Sequence, residues 1–92
     1  MKQFMLCRNK VRDYAVWRKI FDSHKAAHQA AGLILRRMWR SVDDPNTVFF
    51  IFKMRDRKKA EAFVTAPDSP KIGEAAGVLD DEIHYVEETA GY

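Results

Sequence analysis

The apolar positions of the chain follow two periods that alternate along its length. From Phe4 to Val11 they step by two: Met5, Cys7, Asn9 and Val11 form one stripe and Phe4, Leu6, Arg8 and Lys10 the other, the pattern of a β-strand. After Asp13 the steps become three and four. Tyr14, Trp17, Phe21, His24, His28 and Ala31 then share one face of a helix running to about Ala31. Asp13 suits its N-cap or first turn, Gly32 suits its close, and Arg18, Lys19, Asp22, Lys25 and Gln29 fall mostly off the apolar face. Leu33–Arg40 and Thr47–Met54 read as a second and third strand. Between them, Val42-Asp43-Asp44-Pro45-Asn46 is turn chemistry, since Asp and Asn tolerate unusual backbone and Pro fixes φ. A shorter helix over about Asp56–Thr65 carries Ala60, Phe63 and Val64 inward, and Pro67-Asp68-Ser69-Pro70 interrupts it. A short helix restarts at Ser69 or Pro70 and runs through Ala76 to Gly77. Glu82–Glu88 is the last strand and Thr89–Tyr92 a loose tail.

The order βαββαβ predicts an α+β domain, a ferredoxin-like sandwich with a four-stranded antiparallel sheet and all helices on one face. The third strand complicates that picture, because Val48-Phe49-Phe50-Ile51-Phe52 is apolar on both parities. A strand apolar on both sides is usually buried on both, and the helices cover only one. A second copy of the same sheet is the economical cover for the other. Burying two aromatic side chains there contributes about 3–6 kcal/mol per protomer before the costs of association. The alternative is that Phe49 or Phe50 sits under a loop or the C-terminal tail.

Composition adds bounds. Ninety-two residues make one domain, 1–92, with a modest core. With 47% hydrophobic and 32% charged residues, the chain is ordinary globular material and not a disordered one. A single cysteine excludes an internal disulfide, so a reducing, cytoplasmic compartment is expected. Met1-Lys2-Gln3 leads straight into the first strand pattern, so no signal peptide is expected, and no apolar run approaches the ~18 residues of a membrane span. The net charge of +3 and the pI near 9.2 are too slight a basic excess to argue for nucleic acid.

A first strand with a polar end comes before a helix carrying Tyr14, Trp17, Phe21 and His24. Gly32, the turn Asp43-Asp44-Pro45-Asn46 and an aromatic third strand follow. The whole pattern resembles the dimeric α+β barrel superfamily, close to the antibiotic biosynthesis monooxygenase-like domains. The resemblance spans nearly all residues but is one of pattern and spacing; no catalytic signature is matched. It implies a homodimer and a cleft in each protomer between helices and sheet. Members include cofactor-independent oxygenases, haem-degrading enzymes, isomerases and proteins with no assigned activity, so the fold transfers well and the function poorly. The haem-degrading relatives use a strand Asn together with a Trp and a histidine, the ligating histidine belonging to the second helical region. Here that region, Asp56–Ala76, has no histidine, which argues against haem, and no cofactor is expected.

Several residues stand out as candidates for chemistry. His24 lies on the apolar stripe one turn from Phe21, where an imidazole either acts as acid, base or donor or simply bonds a backbone carbonyl. His28 follows four residues later on the same face. A His-x-x-x-His pair can chelate a metal, but no third ligand lies near in sequence and the zincin glutamate is missing, so no metal site is expected. Asn9 interrupts an apolar stripe and must either find partners or await a ligand. Trp17, Phe21, Trp39 and Tyr85 either line an aromatic pocket or form plain core, and Cys7 reads as a buried small apolar residue. Arg36, Arg37, Arg40, Lys58 and Lys59 read as solvated faces, with an anion site as the alternative.

Three functions remain open at this level. One is an enzyme, a cofactor-independent monooxygenase or a relative, acting on a small hydrophobic or aromatic molecule with His24 and Asn9 as catalytic groups. Another is a non-catalytic ligand-binding or structural dimer. The third is an RNA-binding module, since βαββαβ is also the order of the RNA-recognition domain. That module carries a basic-Gly-aromatic signature on its third strand, whereas Asn46-Thr47-Val48-Phe49-Phe50-Ile51-Phe52-Lys53 holds no glycine, so neither nucleic acid nor membrane is expected as a partner.

Overall fold

The computed structural model describes residues 2–91, so Met1 and Tyr92, the two ends of the segments read above, lie outside it. The elements run β1 (Gln3–Val11), α1 (Tyr14–Ser23), α2 (Lys25–Ala30), β2 (Leu33–Arg40), β3 (Thr47–Met54), α3 (Arg57–Val64), α4 (Ser69–Ala75) and β4 (Val78–Glu87). The strands form one antiparallel sheet in the order β2-β3-β1-β4. This is the α+β, ferredoxin-like arrangement expected from the apolar periods. No helix among the described residues is long and apolar enough to cross a membrane.

One face of the sheet carries the core. On β3 the buried positions alternate strictly: Val48, Phe50, Phe52 and Met54 face the helices. Register places Met5 of β1 opposite Phe52, Cys7 opposite Phe50 and Asn9 opposite Val48. From above, α1 lays Trp17, 2% exposed, onto this surface, and α3 adds Ala60. Asp13 and Asp56 cap α1 and α3: each carboxylate accepts from the backbone N–H groups two and three residues on, which would otherwise have no partner. Gly32 and Gly77 turn the chain from helix to strand with φ near +73° and +75°, a region in which any Cβ is strained.

Three features depart from expectation. The long first helix is broken at His24. In an unbroken helix the Ile20 carbonyl would accept the His24 N–H. Here it is taken by the Ser23 hydroxyl at 2.6 Å and by His24 Nδ1 at 2.8 Å, and the His24 N–H turns to the Phe21 carbonyl instead. The second departure is in β4, which begins at Val78, four residues before the expected start at Glu82. Asp80 precedes the expected start, yet it is held in the strand by Arg8 across β1 (2.7 Å), which also takes Glu82 (2.9 Å). The third is a bulge in β2. Leu35 pairs with Phe52 and Arg37 with Ile51, which leaves Arg36 as an extra residue and reverses the strand's alternation beyond it.

The far face of the sheet has no helix. Phe4, Leu6, Phe49 and Ile51 lie half-buried on it, and Trp39 and Val86 stand 49% and 37% exposed. Both parities of β3 are thus apolar, one under helices and one bare. Neither a loop nor the tail shields Phe50 in the way considered above; it sits in the helix-side core.

Candidate functional site

Between the helices and the sheet lies a cavity of about 210 Å³. Its floor is the helix face of β1, β3 and β4, its roof α1 and α2, and α3 and α4 close one side. Five aromatic side chains, Trp17, Phe21, Phe50, Phe52 and Phe63, share the wall with aliphatic ones such as Ile20, Val64, Ile72 and Ile83. Trp17 stacks on Phe21 with centroids 4.9 Å apart, Phe21 meets Phe50 edge-on at 5.2 Å, and Phe50 meets Phe52 at 5.7 Å. The break at His24 does not disperse the stripe, because His28 still packs against Phe21 at 4.9 Å.

The polar side chains on the cavity wall are those of Asn9, His24, His28, Ser69 and Asp81, the Ser69 hydroxyl donating to the Phe63 carbonyl at 3.0 Å. Ile20's carbonyl can only accept, so His24 Nδ1 must carry the proton of that 2.8 Å bond, and in the neutral ring the lone pair lies on Nε2. Among the described residues Nε2 has no partner. His28 is caged by Phe21, Phe52 (5.1 Å) and Phe63 (5.5 Å). Burial among these rings, with a smaller contribution from His24, pushes its pKa down to about 4, so it is neutral at pH 7. With its amide turned to satisfy both ends, Asn9 accepts from Trp17 Nε1 (3.2 Å) and donates to the Arg8 carbonyl (3.0 Å), which leaves one N–H uncommitted. Burial, followed by the charge of Asp81, pushes the Cys7 thiol up to about 12, so it is no thiolate nucleophile.

The structure thus brings Asn9, Trp17, Phe21, His24 and His28 around one space. Trp39 is not among them. Counting by twos from Leu33 places it on the helix side, but the Arg36 bulge turns it to the bare face opposite Phe49. Tyr85 lies on the helix face opposite Met5 but outside the cavity, beneath the Arg57 guanidinium at 5.0 Å. Arg36, Arg37 and Arg40 are exposed. Arg40 stacks over Tyr14 at 4.0 Å and does not converge with the others on a pocket. No three His, Cys, Asp or Glu side chains converge among the described residues to hold a metal. Sequence reasoning missed Asp81, whose parity is visible only once β4 is known to start at Val78.

No family model matches the chain, and no curated protein sequence matches it. Solved structures do. A candidate antibiotic biosynthesis monooxygenase from Bordetella bronchiseptica superposes with a TM-score of 0.78 at 10% identity, over 97% of this chain and 98% of its own. SnoaB from Streptomyces nogalater, a cofactor-independent oxygenase, gives 0.75 at 15% identity, over 98% and 95%. An uncharacterized NIPSNAP domain protein from Burkholderia xenovorans gives 0.66 at 14% identity, over 96% and 95%. At such identities, proteins of differing description share the architecture and no shared chemistry follows. The chain has the fold of the antibiotic biosynthesis monooxygenase-like domains of the dimeric α+β barrel superfamily.

Proposed function

We propose that the protein is a homodimer, joined through its bare sheet faces, in which each cavity binds a small, flat, apolar molecule and His24 serves as the base of a cofactor-independent oxygenation. The observation that carries this reading is the aromatic cavity holding a histidine whose proton is fixed on Nδ1 by Ile20. An apolar pocket with a few placed polar groups is the usual form of a small-molecule site. An apolar cavity of about 150 Å³ accepts benzene, so about 210 Å³ suits one or two fused rings. A general base needs a lone pair within reach of the proton it takes, and the Ile20 bond keeps that lone pair on Nε2.

The chemistry balances without a metal or an organic cofactor if the substrate itself supplies the electrons. His24 removes a proton from an acidic methylene of the bound ring. The carbanion reduces dioxygen and combines with it as a peroxide, which takes back a proton. Loss of water then leaves a carbonyl: four electrons pass from the methylene to O2, one oxygen atom stays in the product and the other leaves as water. The second amide N–H of Asn9 serves as donor to the developing oxyanion.

A ligand screen of small arenes, mapped by NMR shifts, tests the site. Shifts centred on Trp17, Phe21 and His24, weakened in His24→Ala, are expected. Oxygen consumption with a small fused-ring compound that carries an acidic ring methylene, lost in His24→Ala while weaker binding persists, is expected of the enzyme. Binding without turnover of any such compound would leave a non-catalytic binder, and shifts confined to Arg36–Arg40 would move the site elsewhere.

A further inference from the structure

The alternation of β4 separates its three consecutive acids. Asp80 and Glu82 fall on the bare face and share Arg8, while Asp81 falls on the helix face opposite Asn9, with no cationic partner among the described residues. Asp81 lines both the cavity and a groove of about 490 Å³ along α4, so it stands where the two meet. That groove also carries Glu74. No lysine or arginine lines either space. The charge of Asp81 is felt in the interior, where it adds to burial in holding the Cys7 thiol protonated.

We infer that Asp81 sorts ligands by charge at the cavity mouth, so that the site takes an uncharged hydroxyarene and turns away an aromatic carboxylate. The inference rests on the cavity being the binding site proposed above, and it adds the class of ligand. An anionic ligand entering here loses water, meets a fixed negative charge and finds no lysine or arginine to replace its solvation. A phenolic hydroxyl meets acceptors instead: the Asp81 carboxylate at the mouth and His24 Nε2 on the wall. An ionised acceptor makes the stronger hydrogen bond to such a donor. The ring itself needs nothing beyond the aromatic wall.

The test compares two probes with one ring system, 2-naphthol and 2-naphthoate, titrated into the full chain at pH 7.5 and followed by NMR shifts of the Trp17 indole. Naphthol is expected to bind at least about tenfold more tightly than naphthoate. Asp81→Asn is expected to tighten naphthoate about fivefold, the scale of one like-charge repulsion across a partly solvated mouth, and to narrow the preference. Asp81 is exposed, so the variant should fold, and an unchanged amide spectrum away from β4 checks this. Equal affinity for both probes, or a preference that Asp81→Asn does not move, would overturn the charge sorting while leaving the cavity reading intact. If neither probe shifts Trp17, the cavity reading falls and this inference falls with it.

Discussion

Acidification should weaken the fold through one identifiable ring. His28 titrates at about 4 in the folded chain because burial among Phe21, Phe52 and Phe63 disfavours its charged form. In the unfolded chain it returns to its ordinary value of 6.5. Between those two values the unfolded chain holds more protons than the folded one, so stability rises with pH across that window. The contribution is fully present above pH 6.5 and is lost as pH falls toward 4. At about 1.36 kcal/mol per pH step, the gap sets a ceiling of about 3 kcal/mol. The ring is partly exposed, and solvent screening reduces this to about 1–2 kcal/mol. For a domain of this size that is a fall in Tm of roughly 5–15 °C beyond the loss shared with other groups.

The control is His28→Phe, which keeps an aromatic ring in the cage and removes the proton. Comparing each protein with itself at pH 7 and pH 4, at one fixed protein concentration, cancels both the packing difference and any mass-action effect of association. The wild-type protein should lose more stability than the variant. A parallel decline of the two, or an imidazole NMR titration of His28 centred near 6.5, would refute the reasoning.

Three further outcomes follow from particular contacts. Gly32→Ala should cost about 1–2 kcal/mol in thermal or urea unfolding, because φ near +73° strains any Cβ and the new methyl meets Arg55 Cβ at 3.3 Å. Light scattering after gel filtration should give twice 10.7 kDa for the native chain and a shift toward the monomer mass for Trp39→Glu, with the amide spectrum of the helix-side core kept. A persistent dimer in that variant would place the contact elsewhere. A thiol reagent at pH 7.5 should leave native Cys7 untouched and label it at once in denaturant, since the thiol is buried and held protonated up to about 12.

Much of the fold was legible because local and tertiary signals agree. The turn at Asp43–Asn46 and the strands it joins end where turn chemistry and apolar alternation say they should. The recruitment of Asn9, Trp17, Phe21, His24 and His28 to one space was legible too, since both stripes point at the same sheet face. The illegible parts each depend on a partner far along the chain or on a competing bond. Ser23 and His24 give no helix-breaking signal until their side chains are seen to occupy the Ile20 carbonyl. Asp80 shows no sign of belonging to the last strand until Arg8, 72 residues away, is placed beside it. Trp39 was a candidate for pocket or core, and alternation along β2 cannot reveal the inserted residue that turns it to the bare face.

That inserted residue also governs how the molecule meets others. β2 is an outer strand of the sheet, and an outer strand offers free backbone groups on which a foreign strand can build. At Arg36 the ladder loses its repeat, so a visiting strand matched to Leu33–Leu35 would be one residue out of step by Arg37. The guanidinium groups of Arg36 and Arg37 add charge to the same stretch. Lateral zippering, the route to open-ended fibres, is therefore interrupted halfway along this margin. In the dimer proposed above, the same bulge that sends Trp39 to the bare face sets that closed, two-fold contact apart from the edge.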